Sequence, residues 1–284
     1  MTRKTEAQLL AAWHEQDPYD NFVDMLDSIP RIADEGTGYA LWVSKSGNNT
    51  SGLGSRTMPY LTITKALSEV SADKKLVVVE QGTYKEAVTW PTRSGVVVVG
   101  LGRVIIDDPS SGGTATLKVA PGDPGGAWTG YCENIILDHN GTGLHISNTG
   151  GTSTLAFKME DCEFIATGGN SIQTTNNGSA AINLEVSGEM HDIGGPVTLK
   201  GTLVAADSVI FNQMKLTGGL VSVNTDAGIE ITFNHCEVKH EGVSGGHSGQ
   251  KINAVFCTSR TGETIALLDT NDLAGSHTEN IIGS

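Results

Sequence analysis

The chain has 284 residues, a formal net charge of −14, 36 glycines and only 6 Phe, 5 Tyr and 4 Trp. A nucleic-acid binder needs a basic stripe to displace counterions; none is visible, so no nucleic-acid partner is expected, a local basic patch aside. No stretch approaches the roughly 20 apolar residues that span a membrane, and "MTRKTEAQLLAAWHEQ" lacks the apolar run of a signal peptide. Synthesis in a cytosol with reduced thiols is expected. Cysteines at 132, 162, 236 and 257 fit no zinc pattern, and the spacing of His235, His240 and His247 matches no common metal motif, so no metal or cofactor is expected.

Residues 1–38 read as a helical arm. Leu9, Leu10 and Trp13 share one helical face; after Pro18, so do Phe22, Val23, Leu26 and Ile29, and Pro30 ends the segment. The arm is too small to bury both stripes, so Leu9, Leu10, Trp13, Phe22 and Leu26 are expected to dock on something else.

From 39 to 284 the pattern is that of strands and turns, read as one domain. One helix interrupts it, "TITKALSEVSADK" from Thr62, with Ile63, Ala66, Leu67 and Val70 on one side. The runs "KLVVVEQGTYKEAVTW" and "SGVVVVGLGRVII" follow. Unbroken Val runs indicate strands covered on both faces.

A phrase then recurs: "MEDCEF" at 159–164, "FNQMKL" at 211–216, "FNHCEV" at 233–238. Rows anchored on it begin at Leu137, Met159, Val186, Phe211, Phe233 and Phe256, spaced 22, 27, 25, 22 and 23 residues. A period in the twenties indicates a solenoid. Inward parity flips within each row, from Ile231 and Phe233 to Cys236 and Val238. A strand has period 2, so parity changes only at a bend. Further apolar segments ("GLHIS", "NSIQTT", "GPVTL", "GLVSV") supply another strand per row. The expected fold is all-β, a parallel β-helix of about eight or nine coils, roughly 40 Å long at the sheet spacing. Asn212 and Asn234 are expected to stack at the corner in left-handed conformation. "VSGEMHDI" is expected to hold an extra residue. Cys162 and Cys236 fall in one inward column about 14 Å apart, too far for a disulfide.

The start of this domain carries a resemblance. Val43 to Asn48, Pro59 to Ala66 and Val79 to Glu86 match a "V-S-x-x-G-x-D/N" strand, a "P-Y-x-T-I-x-x-A" helix and a "V-x-x-G-x-Y-x-E" coil. The chain thereby resembles pectate-lyase-like right-handed parallel β-helix proteins. The resemblance covers about 39–102 by motif and continues to about 268 by coil pattern. It implies a cap helix over the open strand edge. Such modules occur in polysaccharide lyases and hydrolases and in bacteriophage tailspikes and related virion proteins, so the motif is informative about fold rather than function.

Enzymes of that resemblance carry acidic or basic side chains on the outer face of adjacent coils. One outward column is read as Ile136, Lys158, Glu185, Ile210, Thr232, Val255. The other is Asn134, Ala156, Asn183, Ser208, Glu230, Asn253. Neither holds the paired carboxylates, roughly 5–9.5 Å apart, that a glycosidase needs. Lys158 beside Glu185 is expected to be a cross-strand ion pair. Were the protein an enzyme, Asp138 and Glu160 at the corner, with His139 and Asp161, would carry the chemistry. Trp90 and Trp128 are read as turn residues, and later coils lack Trp and Tyr for sugar stacking.

The expectation is a non-enzymatic structural protein. The aliphatic outward residues Ile136, Ile210 and Val255 point to a subunit interface in a homotrimer. With the resemblance they imply a bacteriophage spike or capsid-decorating protein. It would be assembled in the host cytoplasm and attached through residues 1–38 to a capsid or tail protein. The alternative is a β-helix lyase or depolymerase, or a tailspike that binds host surface polysaccharide.

Overall fold

A computed structural model of the chain describes residues 39–108, 115–149, 152–166, 170–178, 180–192, 198–202, 208–216, 221–225, 230–238, 243–245, 251–255, 258–259 and 267–269. The arm at 1–38, with Leu9, Leu10, Trp13, Phe22 and Leu26, lies outside the described residues, as do Phe256 and Cys257.

The fold is all-β and its strand pairings are parallel. One sheet has twelve strands: β1 (Ala40–Val43), β2 (Leu76–Tyr84), β4 (Val96–Asp107), β6 (Trp128–Glu133), β7 (Ile136–His139), β9 (Leu155–Ala166), β11 (Ile182–Asp192), β13 (Ser208–Leu216), β15 (Glu230–Asn234), β16 (Glu237–Val238), β18 (Lys251–Val255) and β19 (Thr258–Ser259). The other has eight: β3 (Val88–Thr89), β5 (Ala115–Val119), β8 (Thr142–Asn148), β10 (Asn170–Asn176), β12 (Thr198–Thr202), β14 (Val221–Thr225), β17 (Val243–Gly245) and β20 (Leu267–Asp269). From β2 onward the chain alternates between the two. Parallel neighbours need a crossover; here a strand of the opposite sheet provides it.

The inward side chains of both sheets form one apolar core. Aromatic residues fill its middle: Trp90 meets Phe157 edge-on at 4.9 Å, Trp128 stacks on Phe157 at 6.3 Å, and Phe211 stacks on Phe233 at 5.0 Å. Both side chains are interior: Trp90 lies in the connection that follows β3, as expected of a turn residue, whereas Trp128 opens strand β6. Trp128 satisfies its indole N–H on the Thr92 carbonyl at 3.1 Å.

The motif at 43–86 closes the start of the strand region through its loop and helix. The amide of Trp42 in β1 donates to the Gly54 carbonyl at 2.8 Å. Tyr60 donates to Trp42 at 2.8 Å and accepts from Ser44 at 2.9 Å. The loop 44–60 thus folds back to occupy the open edge of β1, the protection such edges require. A Cβ on Gly47 would meet the Tyr60 carbonyl at 2.3 Å, so the loop closes only on glycine. The helix α1 (Ile63–Ser68) follows, with Thr62 as N-cap accepting from the Lys65 amide at 3.2 Å. Asn49 Oδ1 accepts from the Leu61 and Thr62 amides. Both carboxylate oxygens of Glu86 accept from the Ile63 and Thr64 amides at 2.9 Å. Helix N-termini leave such donors without intrahelical partners; here the strand region 23 residues on in sequence supplies one. Ile63, Ala66 and Leu67 are buried in the core at this end. α1 is shorter than the pattern from Thr62 predicts. The Ser68 hydroxyl bonds back to the Lys65 carbonyl at 2.7 Å, Glu69 caps the end, and Ser71 with Lys74 closes a turn.

The corners recur as predicted, with corrections. Asn134, Asp161, Gln213 and His235 hold φ of 53°, 50°, 52° and 52° in the left-handed region. The left-handed residue is thus the one after Asn212 and Asn234, not those asparagines. Their side chains do form a ladder, Asn234 Nδ2 donating to Asn212 Oδ1 at 3.2 Å. At "VSGEMHDI" β11 has one residue fewer than its neighbours: Val186 faces Met159 and Gly188 already faces Cys162. Gly188 turns there at φ 124°, with its Cα so close to Cys162 that a Cβ would meet that carbonyl at 2.0 Å.

Row alignment also changes at both ends. Met159 pairs with Cys132, not with the row of Leu137, and Phe233 pairs with Ala254 rather than aligning with Phe256. Cys132 consequently lies beside Cys162. The two thiols interact, and this contact together with burial pushes the Cys132 thiol well up. Cys132, Cys162 and Cys236 are free and buried.

Candidate functional site

Two register lines run along the outward face of the twelve-stranded sheet. One passes through Ala40, Leu76, Val97, Tyr131, Lys158, Glu185, Ile210, Thr232 and Asn253. The other begins Trp42, Val78, Val99, Glu133, Glu160 and resumes at Ser187, Asn212, Asn234, Val255. Both are apolar at the start and mostly polar afterwards, Ile210 and Val255 excepted. Trp42, Leu76, Val78, Val97, Val99 and Tyr131 form a buried cluster separate from the interior core. The change of character falls at Tyr131 and Glu133.

A side-chain cluster sits at this junction. The Tyr131 hydroxyl donates to Glu160 Oε2 and lies 3.3 Å from Glu133 Oε2. Lys158 Nζ is 3.6 Å from Glu160 Oε1 and 3.4 Å from Glu185 Oε1. Glu185 accepts from Asn212 Nδ2 at 2.7 Å, and Asn212 accepts from Asn234. A connected polar ladder therefore spans β6, β9, β11, β13 and β15, and the expected Lys158–Glu185 pair is part of it.

Burial holds the Glu133 carboxyl above the usual range, assisted by the negative charges of Glu160 and Asp161; the Tyr131 contact opposes this. The burial follows from register, because Val99 is the cross-strand neighbour of Glu133. A phenol has one proton. It is shared unequally, with Glu160 as the closer acceptor and Glu133 Oε2 at 3.3 Å. Burial, and then the two carboxylates, hold the Tyr131 phenol far from ionisation. The cluster is thus one buried donor between two carboxyls, and burial raises the proton affinity of one of them, Glu133.

The residues expected to form an acidic corner are not brought together. Asp138 pairs with Asp107 and Ile165, whereas Glu160 pairs with Glu133. His139 points inward, 2% exposed, with Nδ1 3.2 Å from the Gly141 carbonyl. Asp161 is the exposed left-handed corner residue. The aliphatic trio is also dispersed. Ile210 lies beside Glu185 and Thr232, Val255 beside Asn234, and Ile136 on a third line between Ile105 and Glu163.

Comparison with protein-family models and with curated proteins finds no match for the chain. Among the described residues, no group of three or more His, Cys, Asp or Glu is placed to hold a metal ion, and no helix is long and apolar enough to cross a membrane.

Tyr131 and Glu133 are absent from the residues that sequence reasoning selects, although a signal exists. "CEN" at 132–134 and "MED" at 159–161 each place a glutamate directly before the left-handed corner residue. Aligning on that acid–corner pair, instead of on large apolar anchors, sets Glu133 opposite Glu160.

Proposed function

We propose that the chain is a right-handed parallel β-helix that serves as a structural protein of a bacteriophage virion: a short homotrimeric spike or capsid-decorating protein, attached through residues 1–38. The observation that carries a structural role is the ladder from Tyr131 to Asn234. Its polar groups are bonded to groups on the next strand, as in cross-strand pairs that stiffen a sheet. Alternation of the chain between two parallel sheets supports the β-helix, and the attribution to a virion rests on the resemblance of the motif at 43–86, which β-helix enzymes share. The test is mass spectrometry and immunogold labelling of purified particles from the phage that encodes the chain. The protein is expected in stoichiometric amount on the particle surface; its absence from particles overturns the reading.

A second reading, a carbohydrate-active β-helix, is favoured by the Glu133–Tyr131–Glu160 cluster. In it Glu133, with its elevated proton affinity, is the acid and Glu160 the second carboxyl. Purified protein incubated with host surface polysaccharide decides: cleavage that Glu133→Gln and Glu160→Gln each abolish replaces the structural reading with the enzymatic one.

A further inference from the structure

The outward face of β1, β2, β4 and β6 is shut off from solvent although it points away from the interior core. Trp42, Leu76, Val78, Val97, Val99 and Tyr131 form a cluster of their own there, and within the one chain each is at most 8% exposed. Cross-strand neighbours cover the flanks of such side chains and leave their tips open, so a further layer of the same chain lies over them. The loop 44–60 accounts for the margin. It runs along the free edge of β1 and sets Arg56 over the Trp42 ring at 5.3 Å. Val97 and Val99 in β4 lie two strand spacings from that edge strand, about 10 Å further in. They are 5% and 3% exposed and need another cover.

We infer that the second apolar stripe of the N-terminal arm, Phe22, Val23, Leu26 and Ile29, is the layer on this face. The arm meets the sheet where the apolar lines begin, because residue 38 stands two positions before Ala40. Residues 30–39 separate the stripe from Ala40 and reach up to about 33 Å when extended. The face measures about 14 Å from β1 to β6 and about 7 Å along the strands, so all of it is within reach. Read as a helix, the stripe is about 10 Å long at 1.5 Å per residue, on a cylinder about 10 Å wide. One short helix therefore suffices. A one-sided apolar helix and an apolar sheet face each need a partner layer. A second copy and a foreign protein are the competing occupants. The arm is favoured because the face is closed within a single chain, which leaves little apolar area for either. The inference goes beyond the proposed function and does not rest on it. It divides the arm, leaving Leu9, Leu10 and Trp13 as the stripe for attachment.

A photo-crosslinking residue, p-benzoylphenylalanine, placed at position 22 of the full chain tests the contact. Irradiation is expected to link it to peptides that carry β1, β2 or β4, and the same residue placed at position 9 is expected to give none of these links. Mixing light and nitrogen-15-labelled copies separates links within a chain from links between copies. Links to the eight-stranded sheet, links between copies, or no link from position 22 each overturn the assignment. A second measurement reads the face itself, through the dye anilinonaphthalene sulfonate, which binds exposed apolar surface. Phe22→Asp with Leu26→Asp is expected to raise its fluorescence about fivefold while the circular dichroism of the strands is kept. Leu9→Asp with Leu10→Asp is expected to leave it unchanged. Wild type that binds the dye as strongly as Phe22→Asp with Leu26→Asp gives the face to an external partner and overturns the inference.

Discussion

In β1, β2 and β4 the outward residues Trp42, Val78, Val97 and Val99 are each at most 5% exposed; in β9, β11 and β13 the outward residues Lys158, Glu185 and Ile210 are half-buried. Both sets belong to one sheet and, apart from the line they occupy, to equivalent positions in it. The strand region begins as a sheet covered on both faces and continues as a sheet with one polar face. Tyr131 and Glu133 mark the change, which is why a carboxyl there is desolvated while its neighbours form ordinary pairs. Local sequence shows the same change: unbroken Val runs give way to alternation.

Substitution at matched outward positions tests this most severely. Val78→Asp places a charge on a fully buried outward site, and a loss of about 3–5 kcal/mol or outright insolubility is expected. Thr232→Asp is expected to stay within about 0.5 kcal/mol of wild type. Urea denaturation of both variants measures the contrast. Equal losses would mean that the two halves are covered alike.

The covered half also depends on the cap. Glu86→Ala leaves the Ile63 and Thr64 amides of α1 without their acceptor. A loss of about 1–3 kcal/mol is expected, with Glu86→Gln recovering part of it through its remaining carbonyl oxygen. An unchanged denaturation midpoint for Glu86→Ala would remove α1 from the closure of this end.

Much of this arrangement was legible in the residues, and the failures share one cause. Met159, Phe211 and Phe233 are large and mark their rows, so the middle four members of each outward line are read correctly. Cys132 is small and follows Gly130, whose Cβ would strike the Phe157 ring at 2.8 Å, so this inward position resembles a turn. Leu137 five residues later mimics the anchor. At the other end Ala254 holds the position that Phe256 imitates. Register has period 2, but the anchor pattern weights side-chain size, and core volume can be supplied by the neighbouring coil: the Trp128 and Phe157 rings occupy the space beside Gly130. The Glu133–Glu160 pair, which depends on that one alignment, is lost with it. The edge-covering loop was hidden differently. Its hydrogen bonds run from backbone groups of Trp42 and Ser44 to Gly54 and Tyr60, and no side-chain pattern encodes them.

At the junction itself, Tyr131→Phe keeps the buried ring and removes the one proton between the carboxyls. A loss of about 1–2 kcal/mol near pH 7 is expected, the range for a hydrogen bond to a charged group. Below about pH 4, where carboxyls protonate and can donate to one another, the difference should shrink. Thermal melts at both pH values check this. A constant difference would assign the effect to packing, not to the shared proton.

The smallest effect expected has the opposite sign. Burial beside Val99 and the charges of Glu160 and Asp161 raise the proton affinity of Glu133 in the fold. The unfolded chain releases this proton near pH 4.3, the ordinary glutamate value. Between that value and the higher folded one, the folded state binds more protons than the unfolded state, so stability falls as pH rises. The contribution is complete below about pH 4 and is lost once pH has passed the folded value. Glu133→Gln keeps an acceptor for Tyr131 and has no charge to desolvate. Its melting temperature should match wild type near pH 4 and exceed it at pH 8. A lower melting temperature for Glu133→Gln at pH 8 would show that the ionised carboxylate is favourably held there. The apolar half of the sheet would then end before Glu133, at the Val97–Tyr131 pair.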